Sequence, residues 1–156
     1  MSVPKKLAEE SLEKRHLRMW IRMLRTTRSV EARLREFLRD KYQTTLPRFD
    51  VMAALFRNEN GLKMSALSKQ LLVSNGNVTG IVDRLVADGL VVRVIVKNDR
   101  RAMLVRLSAK GHKLFTKMAK DHEALVSQLF SELGHDDLDL MVNVFSRLKE
   151  GGELSS

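Results

Sequence analysis

Asn75, Asn77 and Thr79 stand together in the stretch VSNGNVTGIVDRL, with Ser74 before them and Arg84 after. Asparagine can hold adenine through a bidentate contact, and threonine can meet a base edge or a thymine methyl group. Short polar side chains also let exposed N–H groups at a helix start approach a phosphate. A second group is Lys97-Asn98-Asp99-Arg100-Arg101, set between two apolar runs. Arginine at such a tip suits a narrow minor groove, where A·T-rich DNA concentrates negative potential. Asp99 cannot be a phosphate ligand there, and its sensible role is to orient a neighbouring arginine through a charge-assisted hydrogen bond. A third group is Arg15, Arg18, Arg22 and Arg25, close in sequence to Trp20. Guanidinium groups grip phosphates and carboxylates, and Trp20 would add an aromatic surface. Each group has a plainer reading: helix capping for the Asn and Thr residues, an incidentally charged turn for the tip, and surface pairing with carboxylates such as Glu13 for the arginines.

These groups need elements to hold them. Ser65 is expected to cap a short helix with Leu67, Leu71 and Leu72 turned inward, and Val73 to fill the turn after it. Ser74 would offer its hydroxyl to the next helix, which begins at Asn75 and turns Val78, Ile81, Val82 and Leu85 inward. Asn75, Asn77, Thr79 and Arg84 are then left facing outward. Gly76 and Gly80 weaken that helix by up to about 1 kcal/mol each relative to alanine, which close backbone approach to DNA would explain. Asp88-Gly89 ends it with a residue suited to a left-handed stop. Leu90 to Val96 and Ala102 to Leu107 read as two strands of a hairpin. The order helix, turn, helix, hairpin is a winged helix-turn-helix.

Around this unit the chain reads as helical. Lys6 to Lys41 holds no Gly or Pro, and Leu17, Trp20, Ile21, Leu24, Leu34, Phe37 and Leu38 recur at helical spacing. Thr45 caps the next helix, Pro47 fits its first turn, and Phe49, Met52, Leu55 and Phe56 form its buried face. Asn58 to Gly61 stops it. Ser108 caps a long helix running to about Leu133. His135 opens a last one with Leu138, Met141, Val142, Phe145 and Leu148 on one face. The fold class is therefore mainly α with a small β-hairpin wing (α+β). Residues 46–108 form the winged helix-turn-helix, and 1–45 with 109–156 a helical dimerisation region. A two-fold dimer is expected because paired DNA half-sites require paired heads.

Composition narrows the function. The 156 residues carry a formal net charge of +9, unevenly spread: residues 1–111 hold net +12 and residues 112–156 net −3. Clustered positive charge marks a phosphate-binding surface. Without cysteine there is no disulfide, thiolate metal site or thiol switch. No apolar run approaches a membrane span, and the first residues lack the apolar stretch of a secretory signal, so a cytoplasmic location is expected. His16, His112, His122 and His135 show neither metal-ligand spacing nor a nucleophile motif, so neither catalysis nor a cofactor is expected. His112, Asp121, His122 and Glu123 form no reliable ligand set for a metal sensor.

VSNGNVTGIVDRLVADGLV, NDRRAMLVRLSAKG and the spacing between Gly89 and Asp99 resemble the MarR family of bacterial transcriptional regulators, and the likeness covers nearly the whole chain. The resemblance implies a homodimer with interlocked terminal helices, gripping a palindromic operator in double-stranded DNA. It implies base reading by Asn75, Asn77 and Thr79, minor-groove entry by Arg101 with Asp99 as its buttress, and a phosphate contact by Arg100. It further implies repression of neighbouring genes, relieved by a small ligand bound between the dimer region and the heads. SNGNVTG and LPRFDVMAAL resemble regulators of aromatic-acid catabolism, some of which respond to hydroxycinnamoyl- or benzoyl-type coenzyme A thioesters. Such an effector, bulky and polyanionic, would suit a site where Arg15, Arg18, Arg22 and Arg25 lie beside Trp20, phosphate-binding and aromatic-packing groups close together. The alternatives are a MarR-type regulator of another stimulus, drug or metal, and an architectural DNA-binding protein without an effector.

Overall fold

The computed structural model describes the backbone of residues 10–72 and 76–151, and the side chains within them except those of 99–102 and 149–151. Its elements run α1 (Leu12–Tyr42), α2 (Leu46–Phe56), β1 (Leu62–Lys63), α3 (Met64–Gln70), α4 (Val78–Ala87), β2 (Val91–Val96), β3 (Asp99–Leu107), α5 (Ala109–Leu129) and α6 (His135–Gly151). The chain divides into two compact units, one up to Ala119 and one from Lys120, the boundary falling within α5.

The first unit is organised around α2. Thr45 caps this helix by accepting the Arg48 N–H at 3.3 Å, and Pro47 lies in its first turn, where no amide is wasted. Seven of its eleven residues are buried, so the helix has hardly any solvent face. It touches α1, α3, α4 and β3. Phe49 and Phe56 both pack on Phe115 of α5, with ring centroids 5.3 and 5.0 Å away. Burial of each such side chain contributes about 1.5–3 kcal/mol. α1 joins this core only near its end, through Leu34 and Leu38. Its earlier apolar residues Leu17, Trp20 and Ile21 are exposed.

The sheet has three antiparallel strands in the order β1-β3-β2. β2 pairs with β3 in regular register from Val91–Leu107 to Ile95–Met103, and the ladder then shifts between Ile95 and Val96. The hairpin expected from sequence is present, but β3 begins at Asp99, so the turn shortens to Lys97-Asn98 and Asp99, Arg100 and Arg101 join the strand. The short β1 was not legible, since two residues carry no periodicity. Its pairing also moves the start of α3. Lys63, still extended in the strand, occupies the N-cap position without a side-chain cap, and Ser65 falls inside the first turn instead of capping.

Other expected boundaries shift as well. α1 starts at Leu12, because Ser11 accepts the Lys14 N–H and caps it there. α5 ends at Leu129 rather than Leu133, as residues 130–132 form a turn. The inward placement of Leu72 is wrong: the residue is 83% exposed, its amide directed at a buried carboxylate while its side chain faces outward.

Three contacts tie the start of α5 to the end of α4. Ser108 caps α5 by accepting the Gly111 N–H at 3.0 Å, as expected, and its hydroxyl also donates to the Gly89 carbonyl at 2.6 Å. Lys110 Nζ donates to the Asp88 carbonyl at 3.0 Å. Gly89 supplies the left-handed turn, with φ of 74°. Gly111 lies so close to Leu90 that an added Cβ would run into the Leu90 carbonyl backbone. Gly111→Ala should therefore destabilise the fold by about 1–3 kcal/mol or more, as overpacking does. Chemical denaturation should show a lower midpoint; an unchanged midpoint would mean that the junction has room to yield.

Candidate nucleic-acid interface

α4 is a ten-residue helix whose inner face, Val78, Val82 and Leu85, is buried. Its outer face carries Thr79, Asp83 and Arg84, all exposed. The inward period of the sequence is thus reproduced, but the helix begins at Val78 and not at Asn75. Ser74 and Asn75 lie outside the described residues.

Asn77 is the N-cap of α4, and its Oδ1 accepts the Gly80 N–H at 3.0 Å. The capping role considered for the Asn residues is therefore the one Asn77 performs in this structure. Gly80 has a local reason to be glycine: an added Cβ would collide with the whole Asn77 amide group lying over it. That space is filled by the cap, so the glycine needs no close approach of DNA to explain it.

Arg84 forms an exposed i,i+4 ion pair with Asp88, 3.5 Å apart. Such a pair is worth a few tenths of a kcal/mol, so Arg84 is easily redirected to a phosphate. Lys97 is exposed in the hairpin turn. The backbones of Asp99, Arg100 and Arg101 open β3, and their side chains, with the buttress expected of Asp99, lie outside the described residues.

Several positioning residues escaped the sequence reading. Asp83 of α4 is ion-paired and hydrogen-bonded with Arg93 of β2, which joins the outward helix directly to the wing. The pair is ten residues apart across a turn, a separation that no helical or strand period marks. Asp50 of α2 is only 4% exposed, and its Oδ2 accepts the Leu72 N–H at 2.7 Å. It thereby holds the chain leaving α3 against the core. The signal for it was present: an acid inside the otherwise apolar run FDVMAAL. Asn58 acts similarly, donating to the Ala54 carbonyl at 2.8 Å and to Gln70 Oε1 at 2.9 Å, which fastens the end of α2 to the end of α3.

The arginine group lies on α1. Arg18, Arg22 and Arg25, with Ile21 and Thr26, line an open groove of about 410 Å³. Arg18 is also paired with Glu10 at 2.9 Å. Arg15 falls on the same helical face but does not line the groove. Trp20 does not join them. At roughly 100° per residue it stands about 140° or more around the helix from each of the four arginines. The expectation of phosphate-binding and aromatic groups side by side is corrected here: adjacency in sequence placed Trp20 near them, and helical rotation takes it away. Ile21 is the apolar residue of the groove. Among the described residues, no group of three His, Asp or Glu side chains converges as a metal site. Burial pushes the His122 imidazole below its ordinary pKa.

Asp50→Ala removes a buried acceptor and leaves the Leu72 amide without that partner, a loss of about 1.5–3 kcal/mol for a hydrogen bond to a charged group. Its thermal midpoint should fall clearly. A variant that melts like the parent would show that the carboxylate is not what holds the turn.

Residues 42–102 match the sequence model of the MarR family. Along most of its length the chain is similar to the HTH-type transcriptional regulator MhqR of Bacillus subtilis, 21% identical over 137 residues, which span 88% of this chain and 93% of that protein. A MarR family transcriptional regulator from Silicibacter pomeroyi superposes with a TM-score of 0.78 at 29% identity, over 92% of this chain and 99% of that one. NadR in complex with 4-hydroxyphenylacetate shares the fold, with a TM-score of 0.66 at 23% identity over 95% and 97% of the two chains. MhqR and the Silicibacter pomeroyi protein are transcriptional regulators, and no helix among the described residues is long and apolar enough to cross a membrane.

Proposed function

We propose that this protein is a MarR-type winged-helix transcriptional regulator, a cytoplasmic, homodimeric repressor of genes for aromatic-compound catabolism, released from a palindromic operator by an aromatic acid or its coenzyme A thioester. The observation that carries the DNA-binding part is the joining of α4 to the wing. Asp83 and Arg93 hold the exposed helix and the basic hairpin as one surface, with Thr79, Arg84 and Lys97 on it. A helix for the major groove and a ribbon beside it are what such a surface offers. Asn75, Asn77 and Thr79 would face the bases, Ser74 and Arg100 the backbone, and Arg101, oriented by Asp99, the minor groove.

Dimerisation is supported by apolar residues that a single chain leaves in water. Leu17, Trp20 and Ile21 of α1 are exposed, and so are Leu138, Met141, Val142, Phe145 and Leu148 of α6. A second copy would cover them, and its head would match the second half-site.

For the effector, the support is the α1 groove. Three guanidinium groups in a row suit a ligand that ends in a carboxylate or in phosphates. Ile21 adds a small apolar contact, so the α1 groove accounts for the anionic end of the ligand better than for an aromatic ring. NadR, of the same fold, holds an aromatic acid in its own structure.

Arg101→Ala should weaken binding to selected operator duplexes by tenfold or more, on the order of 1.4 kcal/mol, while leaving the dimer intact by light scattering. Unchanged affinity would count against wing insertion. A thermal-shift series should compare benzoate- and cinnamate-type acids with their coenzyme A thioesters. The expected result is a raised midpoint with at least one, reduced in Arg22→Ala and Arg25→Ala; stabilisation by none would remove the aromatic effector.

A further inference from the structure

The start of α4 constrains which base Asn77 can read. Its Oδ1 is directed back at the Gly80 amide, 3.0 Å away, and the amide group stands where a Cβ at position 80 would have to go. The two-point grip on adenine needs that oxygen to face the adenine N6 amino group while the nitrogen donates to N7. An amide held as a cap does not present that fork. What remains for the groove is Nδ2, which has no partner among the described residues, on a residue that is itself exposed.

We infer that Asn77 reads the operator as a hydrogen-bond donor only, accepting bases that offer an acceptor and rejecting cytosine. In the major groove guanine offers O6 and N7, thymine O4 and adenine N7, whereas cytosine offers its N4 amino donor. Gly80 is then a positioning residue for specificity. It makes room for the capped amide, and any side chain at 80 pushes Asn77 off the helix start and frees the fork. This rests on the reading of α4 as the helix that enters the major groove.

The test is selection from a randomised duplex library with the full-length protein, comparing base frequencies at each position. Wild type should deplete cytosine roughly fivefold at one position of each half-site, the size of one net hydrogen bond. Asn77→Asp keeps an oxygen for the Gly80 amide and replaces the donor with an acceptor, so cytosine should become the favoured base there. Its added charge lowers affinity for every duplex, so the base profile is the readout. Asn77→Asp should melt at or above the wild-type temperature, since a carboxylate caps a helix start well. Gly80→Ala, if folded, should narrow the same position to adenine, and the Asp variant decides the matter should Gly80→Ala not fold. Slow hydrogen exchange at the Gly80 amide in wild type and Asn77→Asp, lost in Asn77→Ala, would confirm the cap. Identical profiles for wild type and Asn77→Asp would overturn the inference, as would adenine alone in wild type. A wild-type protein that enriches no duplex at all would overturn the DNA-reading proposal itself, and this inference with it.

Discussion

α2 has hardly any face that water can reach, and the arrangement of the surrounding elements depends on that. A helix buried on nearly all sides must be enclosed, and α1, α3, α4 and β3 enclose it. The elements that present polar groups outward are therefore set by what their other faces cover. α4 turns Val78, Val82 and Leu85 toward the core and Thr79, Asp83 and Arg84 away from it. The apolar burial supplies most of the energy, but it fixes direction only to within a helix face. A few polar bonds set the finer positions.

Those bonds are concentrated at junctions. Asp50 holds the chain after α3, Asn58 ties α2 to α3, Asp83 and Arg93 join α4 to the wing, and Ser108, Lys110 and Gly111 close α5 onto the turn after α4. The exposed ion pair between Asp83 and Arg93 adds little to stability. Its effect is geometric: it sets the distance between two surfaces that would have to meet one DNA site together. The buried Asp50 contributes to both, because its loss leaves an amide stranded at the turn.

The glycines show how one residue type can answer to different causes. Gly89 is needed for its left-handed backbone, and Gly111 for the close passage of Leu90. Gly80 is neither; it is small because the Asn77 cap occupies the space beside it. From sequence, where only the absence of a side chain is visible, Gly80 reads as room for the close approach of DNA. The neighbour that fills the gap is visible only in three dimensions.

Periodicity and capping chemistry are local, and the elements that depend on them were determined by the sequence alone. The apolar period of α4, the Thr45 and Ser108 caps, the Gly89 stop and the paired runs of the hairpin all follow from residues within one or two turns of each other. The match of residues 42–102 to the MarR family agrees with that order of elements. Relations between elements were decided by the tertiary structure. β1 exists only because β3 passes beside it, and its pairing shifted the start of α3. Leu72 faces outward because Asp50, twenty-two residues earlier, takes its amide. Trp20 parted from the arginines because rotation about a helix axis, not distance along the chain, decides which side chains meet.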